Sequence, residues 1–123
     1  DGNLAGADRV FEVMRQSGDW RQALVLLQMH VARLQVLRAA LDHGSTLEQA
    51  FRTAKPPVFF AQQAAITRQV RMFQLPDLAG MEQALQQATL ASRQHADVAD
   101  VMVSRTVLSL ARMARQLRHE RAA

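Results

Sequence analysis

The residues that could carry chemistry are few and scattered. The four histidines stand at positions 30, 43, 95 and 119, and the chain has no cysteine. No two histidines lie within four residues of each other, so no helix presents a metal-binding pair at i, i+4 spacing. His30 falls in a long helical pattern, where an imidazole bonded to a backbone group or a water is expected. Asp97 and Asp100 lack a third ligand nearby and are better explained as charges that stabilise a helix start.

Sequence motifs for catalysis are also absent. The chain contains no Gly-x-x-x-x-Gly-Lys phosphate loop, no Gly-x-Gly-x-x-Gly turn and no Gly-x-Ser-x-Gly elbow. It has no tyrosine, and without cysteine it has no thiol nucleophile, thiolate metal site or disulfide. We therefore expect no enzyme activity, cofactor or metal. One alternative stays open, an enzyme or small-ligand binder with a pocket between helices, and it predicts a saturable effect of a small molecule on melting.

The positive charge is concentrated at the end of the chain. Fifteen basic residues against eleven acidic ones leave +4, and residues 101–123 hold five arginines against Glu120, which is also +4. Such a segment can meet DNA, an acidic lipid face or an acidic partner, but a solvated helix face is the commoner explanation. The exposed arginines expected to contact a partner are Arg112, Arg115 and Arg118 on the last helix, and Arg33 and Arg38 on a long helix.

Two adjacent aromatics, Phe59 and Phe60, have two interpretations. Neighbours on a helix point about 100° apart, so the two rings face different surroundings. One hypothesis is an exposed aromatic contact for a partner, and both residues are candidates for it. The favoured interpretation places both rings in the core, because aromatic side chains dominate protein interiors.

These residues must be positioned by helices, because apolar residues recur every three or four positions throughout. A first helix has Asn3 as a possible N-cap and Gly18 as a possible end, and a second runs from about 19 to 42 and closes at Gly44. The apolar stripes are Leu4, Ala7, Phe11 and Met14, then Trp20, Leu24, Leu27, Val31, Leu34, Leu37 and Leu41, widened by Ala23 and Leu26.

Four shorter patterns follow. Ser45 and Glu48 predict a capping box for a helix that ends at Lys55-Pro56-Pro57. Pro57 suits the first turn of the next helix, and the following breaks are predicted at Leu75-Pro76-Asp77 and near His95. The inward faces are Leu47, Ala50, Phe51 and Ala54, then Ile66, Val70 and Phe73, then Leu78, Met81, Leu85 and Ala88, then Val103, Val107, Leu110, Ala114 and Leu117, with Val101 and Leu108 flanking.

The fold class follows from these patterns. No stretch alternates with period two, and no tight turn joins two such stretches, so strands are not expected. The 123 residues, 49% of them apolar, predict one all-α domain over residues 1–123, a compact bundle of about five or six helices. We expect no membrane span and no signal peptide, since no uninterrupted apolar stretch approaches about 20 residues.

The order of these motifs resembles the C-terminal domain of the delta subunit of the bacterial DNA polymerase III clamp loader. The likeness covers nearly the whole chain, and each motif is weak by itself. The chain departs from the family's pattern at two positions. The family commonly has an acid four residues before a lysine, and this chain has Thr89 and Arg93 there, so that ion pair cannot form. The matching pieces are residues 2–9, Ser17-Gly18-Asp19-Trp20, residues 27–34, Lys55-Pro56-Pro57-Val58-Phe59-Phe60, Gln69 with Phe73, and Leu75-Pro76-Asp77-Leu78.

The resemblance implies an assembly role. The full subunit would carry two further domains before Asp1 and belong to a DNA polymerase holoenzyme in the cytoplasm. This domain would be clamp-loader collar-like, that is, the collar domain of the subunit. It would pack against matching domains of the ATPase gamma/tau subunits and delta prime. The sliding clamp and DNA would be met only through the whole complex. The alternative from the residues alone is an independent nucleic-acid-binding domain that uses the basic last helix.

Overall fold

The computed structural model describes residues 20–54, 58 and 60–122. This part of the chain forms five α-helices and a short 3-10 helix, with no strand, which confirms the all-α prediction. The predicted helix in residues 4–14, the Pro56-Pro57 junction and the ring of Phe59 lie outside the described residues. The helices are α1 Trp20–Asp42, α2 Leu47–Thr53, α3 Phe60–Met72, α4 Leu75–Gln94 and α5 Ala99–Ala122, with the 3-10 helix at Ala96–Val98.

Helix α1 is the centre of the bundle and contacts each of the other four helices. Its predicted stripe is confirmed from Ala23 onward, with Leu41 and Leu26 only half-buried, and the side chain of Trp20 lies outside the description. By length and composition alone, the stretch Arg21–Asp42 is apolar enough to cross a membrane. Its role in the core accounts for part of that apolar character. The fully buried members of the stripe are Ala23, Leu24, Leu27, Val31, Leu34 and Leu37.

The end of α1 is closed by Gly44, as predicted. This glycine has φ of 97°, a left-handed conformation that glycine adopts without a Cβ clash. The Gly44 N–H donates to the Leu41 carbonyl over 3.0 Å, and the Ser45 N–H donates to the Ala40 carbonyl over 3.0 Å. Together these two bonds form a Schellman motif, which satisfies carbonyls that the helix leaves free.

The start of α2 lies one residue later than predicted. Thr46 is the N-cap, since its hydroxyl accepts the Gln49 N–H at 3.2 Å and its own N–H donates to Gln49 Oε1 at 3.0 Å. The prediction of a Ser45–Glu48 capping box is therefore wrong. The physical reason is that the Ser45 N–H already closes α1 and is not free for a reciprocal cap.

The break before α4 is also displaced. It falls at Phe73 and Gln74, and Leu75, Pro76 and Asp77 form the first turn of α4 rather than the break. Pro76 is tolerated there because the N–H groups of a first turn have no partner within the helix. The Asp77 carboxylate accepts the Gln74 N–H at 2.8 Å and so caps the turn.

Helices α4 and α5 complete the core. The turn between them lies at His95, as predicted, and their buried faces are those that the periodicity indicated, except that Leu117 is only half-buried. Phe73 is also fully buried beside them. Burying a valine, leucine, methionine or phenylalanine side chain completely contributes about 1.5–3 kcal/mol. The buried residues are Leu78, Met81, Leu85 and Ala88 on α4, and Val103, Val107, Leu110 and Ala114 on α5.

Candidate interaction surface

A buried polar pair joins α1 to α3. His30 Nε2 lies 2.8 Å from Gln69 Oε1, and Gln69 is only 4% exposed. The carbonyl oxygen of Gln69 accepts, so the ring proton belongs on Nε2. Burial lowers the pKa of His30 below its ordinary value of 6.5; the hydrogen bond to Gln69 opposes this, and the Arg33 charge adds to it. The partner of Nε2 is thus a side chain from another helix and not a backbone group.

A second polar pair joins α1 to α4. Gln28 Nε2 donates to Thr89 Oγ1 over 3.3 Å, and that hydroxyl donates to the Leu85 carbonyl over 2.9 Å. Thr89 thus links two helices through a neutral hydrogen bond.

The two candidate arginines of α1 are less exposed than predicted. Arg38 Nε and Nη2 each lie 3.1 Å from Asp42 Oδ1, and Nη1 donates to the Val70 carbonyl over 3.0 Å. Only 22% of the Arg38 side chain is exposed. That carbonyl is among the last four of α3, which have no partner within the helix. Arg38 therefore fastens α1 to the end of α3, and Arg33 is half-buried.

Arg121 has a similar structural task. Its Nη1 donates to Asp77 Oδ2 at 2.7 Å and also to the Met72 carbonyl. Burial of Asp77 raises its pKa, but the bonds from Arg121 and from the Gln74 N–H, with the Arg121 charge, outweigh this and lower the pKa overall. No local sequence signal marks this contact, because the partners are 44 residues apart. It removes Arg121 from the free basic row of the last helix.

The remaining arginines of α5 share its solvent side with apolar residues. Arg105, Arg112 and Arg115 are exposed, as are Val101 at 58% and Leu108 at 45%. At 100° per residue these five positions fall within an arc of about 80°. We call these five residues the α5 outer face. Within the described part of the chain, its three arginines form no ion pair.

Arg118 is exposed but does not belong to this face. It lies about 60° round the helix from Arg115. The structure therefore brings together two of the three predicted arginines of the last helix. Val101 and Leu108 were expected only to flank the buried stripe of the last helix. Their positions lie opposite that stripe, and this spacing is the sequence signal for their exposure.

Helix α1 also has an apolar side that faces solvent. Val25 is 51% exposed, Met29 59% and Val36 66%, and Ala32 is exposed with them. Their intervals of four, three and four residues place them on one line along the helix. We call these four residues the α1 outer stripe. It contains no charged residue, and sequence analysis missed it because only one stripe was assigned to this helix.

The aromatic pair is divided by the structure. Phe60 opens α3 and is 88% exposed, so its expected core position is wrong. Val58, only 6% exposed, enters the core beside it instead. Phe60 stays a predicted partner contact, together with Phe59, which lies outside the description.

The described residues thus offer two solvent-facing surfaces, the α5 outer face and the α1 outer stripe. In the parts of the chain that the structure describes, no three histidine, aspartate or glutamate side chains could hold a metal ion together. No family model, curated protein or solved structure matches this chain.

Proposed function

We propose that this domain is a helical assembly module, and specifically the collar domain of a clamp-loader delta subunit. The observation that carries the proposal is the α5 outer face, an exposed strip of apolar and basic residues on an all-α bundle. The order of sequence motifs supplies the family. In this role the domain performs no catalysis, and it helps hold together the complex that loads the sliding clamp during DNA replication in the cytoplasm.

The composition of the α5 outer face suits a protein partner. Val101 and Leu108 supply apolar area, and three arginines surround them. Protein interfaces combine an apolar centre with a polar rim and are enriched in arginine. The charges give specificity and orientation, while the apolar residues supply free energy on burial. The proposed partners are the helical collar domains of the ATPase gamma/tau subunits and of delta prime.

Nucleic-acid binding is the second candidate. Arg105, Arg112, Arg115 and Arg118 are all exposed and could meet phosphates. That function predicts a log–log salt slope of about −0.9 per phosphate contact on duplex DNA. It ranks second because Val101 and Leu108 occupy the same strip. An aliphatic side chain has neither a hydrogen-bond donor nor a positive charge with which to bind a phosphate.

Size-exclusion chromatography with light scattering tests the proposal. The chain is mixed at about 50 µM, enough to populate complexes of micromolar Kd, with the collar domains of the ATPase subunit and delta prime from the same organism. We expect a heteromeric peak of defined mass. Leu108→Glu abolishes this peak, whereas Leu90→Glu, a matched change at a 57% exposed leucine of α4, leaves it intact.

Two results would contradict the collar proposal. One is the absence of any heteromeric peak with the intact chain, and the other is an equal loss in both leucine variants. A third run with duplex DNA separates the candidates. A mobility shift that weakens steeply with salt and is lost in Arg112→Glu would promote the nucleic-acid candidate.

A further inference from the structure

The α5 outer face has the spacing of a helix seam. Its five exposed residues follow one another at intervals of four, three, four and three, from Val101 to Arg115. This repeat averages 3.5 residues, the spacing at which one helix keeps the same side towards a facing helix. The face extends for about 21 Å along α5, at 1.5 Å per residue. Its geometry therefore suits one further helix lying along it.

The charge of this face has one sign. Within the described part of the chain, none of its three arginines forms an ion pair. The acidic residues of α5 lie elsewhere, since Asp100 and Glu120 are each about 100° round the helix from the middle of the face. Glu120 also accepts a hydrogen bond from Gln116 over 3.2 Å. Helix α5 itself thus supplies no carboxylate to the face, and a partner can.

A second copy of the chain does not suit this face. In an antiparallel pair centred on Leu108, Arg105 of one copy lies opposite Arg112 of the other. In a parallel pair each arginine lies opposite its own equivalent. Like charges placed opposite each other across an interface cost free energy. The charge pattern therefore favours a different helix, one that carries acidic residues.

We propose that the partner of the α5 outer face is an acidic amphipathic helix that lies along it. Its side chains are apolar opposite Val101 and Leu108. They are aspartate or glutamate opposite Arg105, Arg112 and Arg115. Arginine binds a carboxylate through two parallel hydrogen bonds, which gives each of the three pairs its specificity. The inference deepens the proposed function and rests on it only for the protein that provides the helix.

Synthetic peptides test this chemistry without any collar domain. The acidic probe has about 18 residues, with leucine, glutamate, leucine, glutamate and glutamate at intervals of four, three, four and three. It is made in both chain directions, because the charge pattern fits a parallel and an antiparallel helix equally. A lactam bridge on the outer side keeps each peptide helical, since short helices are marginal in water. The neutral probe has glutamine in place of each glutamate.

Fluorescence anisotropy with the full chain measures binding of each probe. We expect an acidic probe to bind about tenfold more tightly than its neutral counterpart at low salt, and the difference to shrink as the salt concentration rises.

Variants of the chain assign the binding to this face. Arg112→Glu should weaken binding of the acidic probe about tenfold, because it turns an attraction into a repulsion. Arg118→Glu is the matched control, since Arg118 is an exposed arginine of the same helix that lies outside the face, and it should change binding less than about threefold. A probe with lysine opposite position 112 should bind Arg112→Glu more tightly than the acidic probe does. Circular dichroism checks that each variant folds.

Two outcomes overturn the inference. One is that neither acidic probe binds more tightly than its neutral counterpart, and binding of duplex DNA in the same assay would then assign the face to nucleic acid. The other is that Arg112→Glu and Arg118→Glu weaken binding equally, because the attraction would then be general and not aligned with the face.

The collar function is judged separately. If the acidic probe binds and the collar domains give no heteromeric peak, the collar function fails and the inference about the face stands. If the peak forms and Arg112→Glu leaves it as intact as Arg118→Glu does, the inference fails and the collar function stands.

Discussion

The outer sides of α1 and α5 differ, although the inner sides of the two helices are alike. Both helices bury aliphatic residues completely, with Leu34 on α1 and Val107 on α5 each at 0% exposure. On the solvent side, the α1 outer stripe has no charge and the α5 outer face has three arginines. The two helices therefore make the same kind of internal contact and offer different kinds of external contact.

This difference indicates which surface suits a reversibly bound partner. Guanidinium groups on the α5 outer face stay hydrated when no partner is bound, and their attraction to a partner depends on salt. The uncharged α1 outer stripe has no such dependence on salt, and a partner there would be held by the burial of apolar area alone. Placing a charge on an inner and then on an outer side is the most direct way to test the comparison.

The largest effect is expected from a charge on the inner side of α1. Leu34→Glu should lower the free energy of unfolding by about 2–5 kcal/mol, because Leu34 is 0% exposed and the new carboxyl group would be buried without a partner. Leu108→Glu on the α5 outer face should change it by no more than about 0.5 kcal/mol. Urea unfolding followed by circular dichroism measures both. Equal effects at the two positions would erase the distinction between the inner and outer sides.

A smaller effect is expected from the protonation of His30 on α1. An unfolded histidine gains a proton as the pH falls below 6.5, whereas His30 in the folded chain has a lowered pKa and stays neutral to lower pH. The unfolded state then binds more protons, so stability is full above pH 6.5 and is lost as the pH falls from there to the folded pKa.

Thermal unfolding between pH 8 and pH 5 measures this loss. The slope should largely disappear in His30→Gln, which has no titrating group, and persist in His119→Gln at an exposed position of α5. If both variants keep the slope, another group causes it.

The smallest effect separates two arginines of the same helix. Arg121→Ala should cost about 0.5–1 kcal/mol, because it removes a partly exposed ion pair with Asp77 and a bond to the Met72 carbonyl. Arg115→Ala, on the α5 outer face, should cost almost nothing. Chemical denaturation in low and high salt measures the difference. A larger loss for Arg115→Ala would show that its face is already engaged within the domain.

Local pattern was sufficient to predict most of the fold. The spacing of Leu78, Met81, Leu85 and Ala88 identifies a buried face without knowledge of its partner, because a helix repeats every 3.6 residues. The end of α1 at Gly44 was equally predictable, since a left-handed helix end favours glycine. Ser45 was misread because two structures compete for one N–H, and which of them wins depends on how α1 ends.

The candidate surface was harder to predict. The bonds of Arg38 to Val70 and of Arg121 to Asp77 join residues 32 and 44 positions apart. Nothing in the local sequence distinguishes these arginines from exposed ones. Phe60 shows the converse, since a large aromatic residue was assigned to the core and the structure exposes it. Periodicity identifies which face of a helix is apolar, but only packing decides which side is covered.

The two polar pairs of α1 determine how that helix can be placed. Gln28 reaches Thr89 on α4 and His30 reaches Gln69 on α3, and their positions lie about 160° apart around the axis, on either border of the buried stripe. A slide of one turn would preserve the apolar contacts in kind but would separate both pairs. Stranding the buried Gln69 amide would cost about 1–3 kcal/mol, and the part-buried bond between Gln28 and Thr89 would be lost as well. The leucines of α1 could pack in several registers. The two polar pairs therefore select one register and one rotation of the helix.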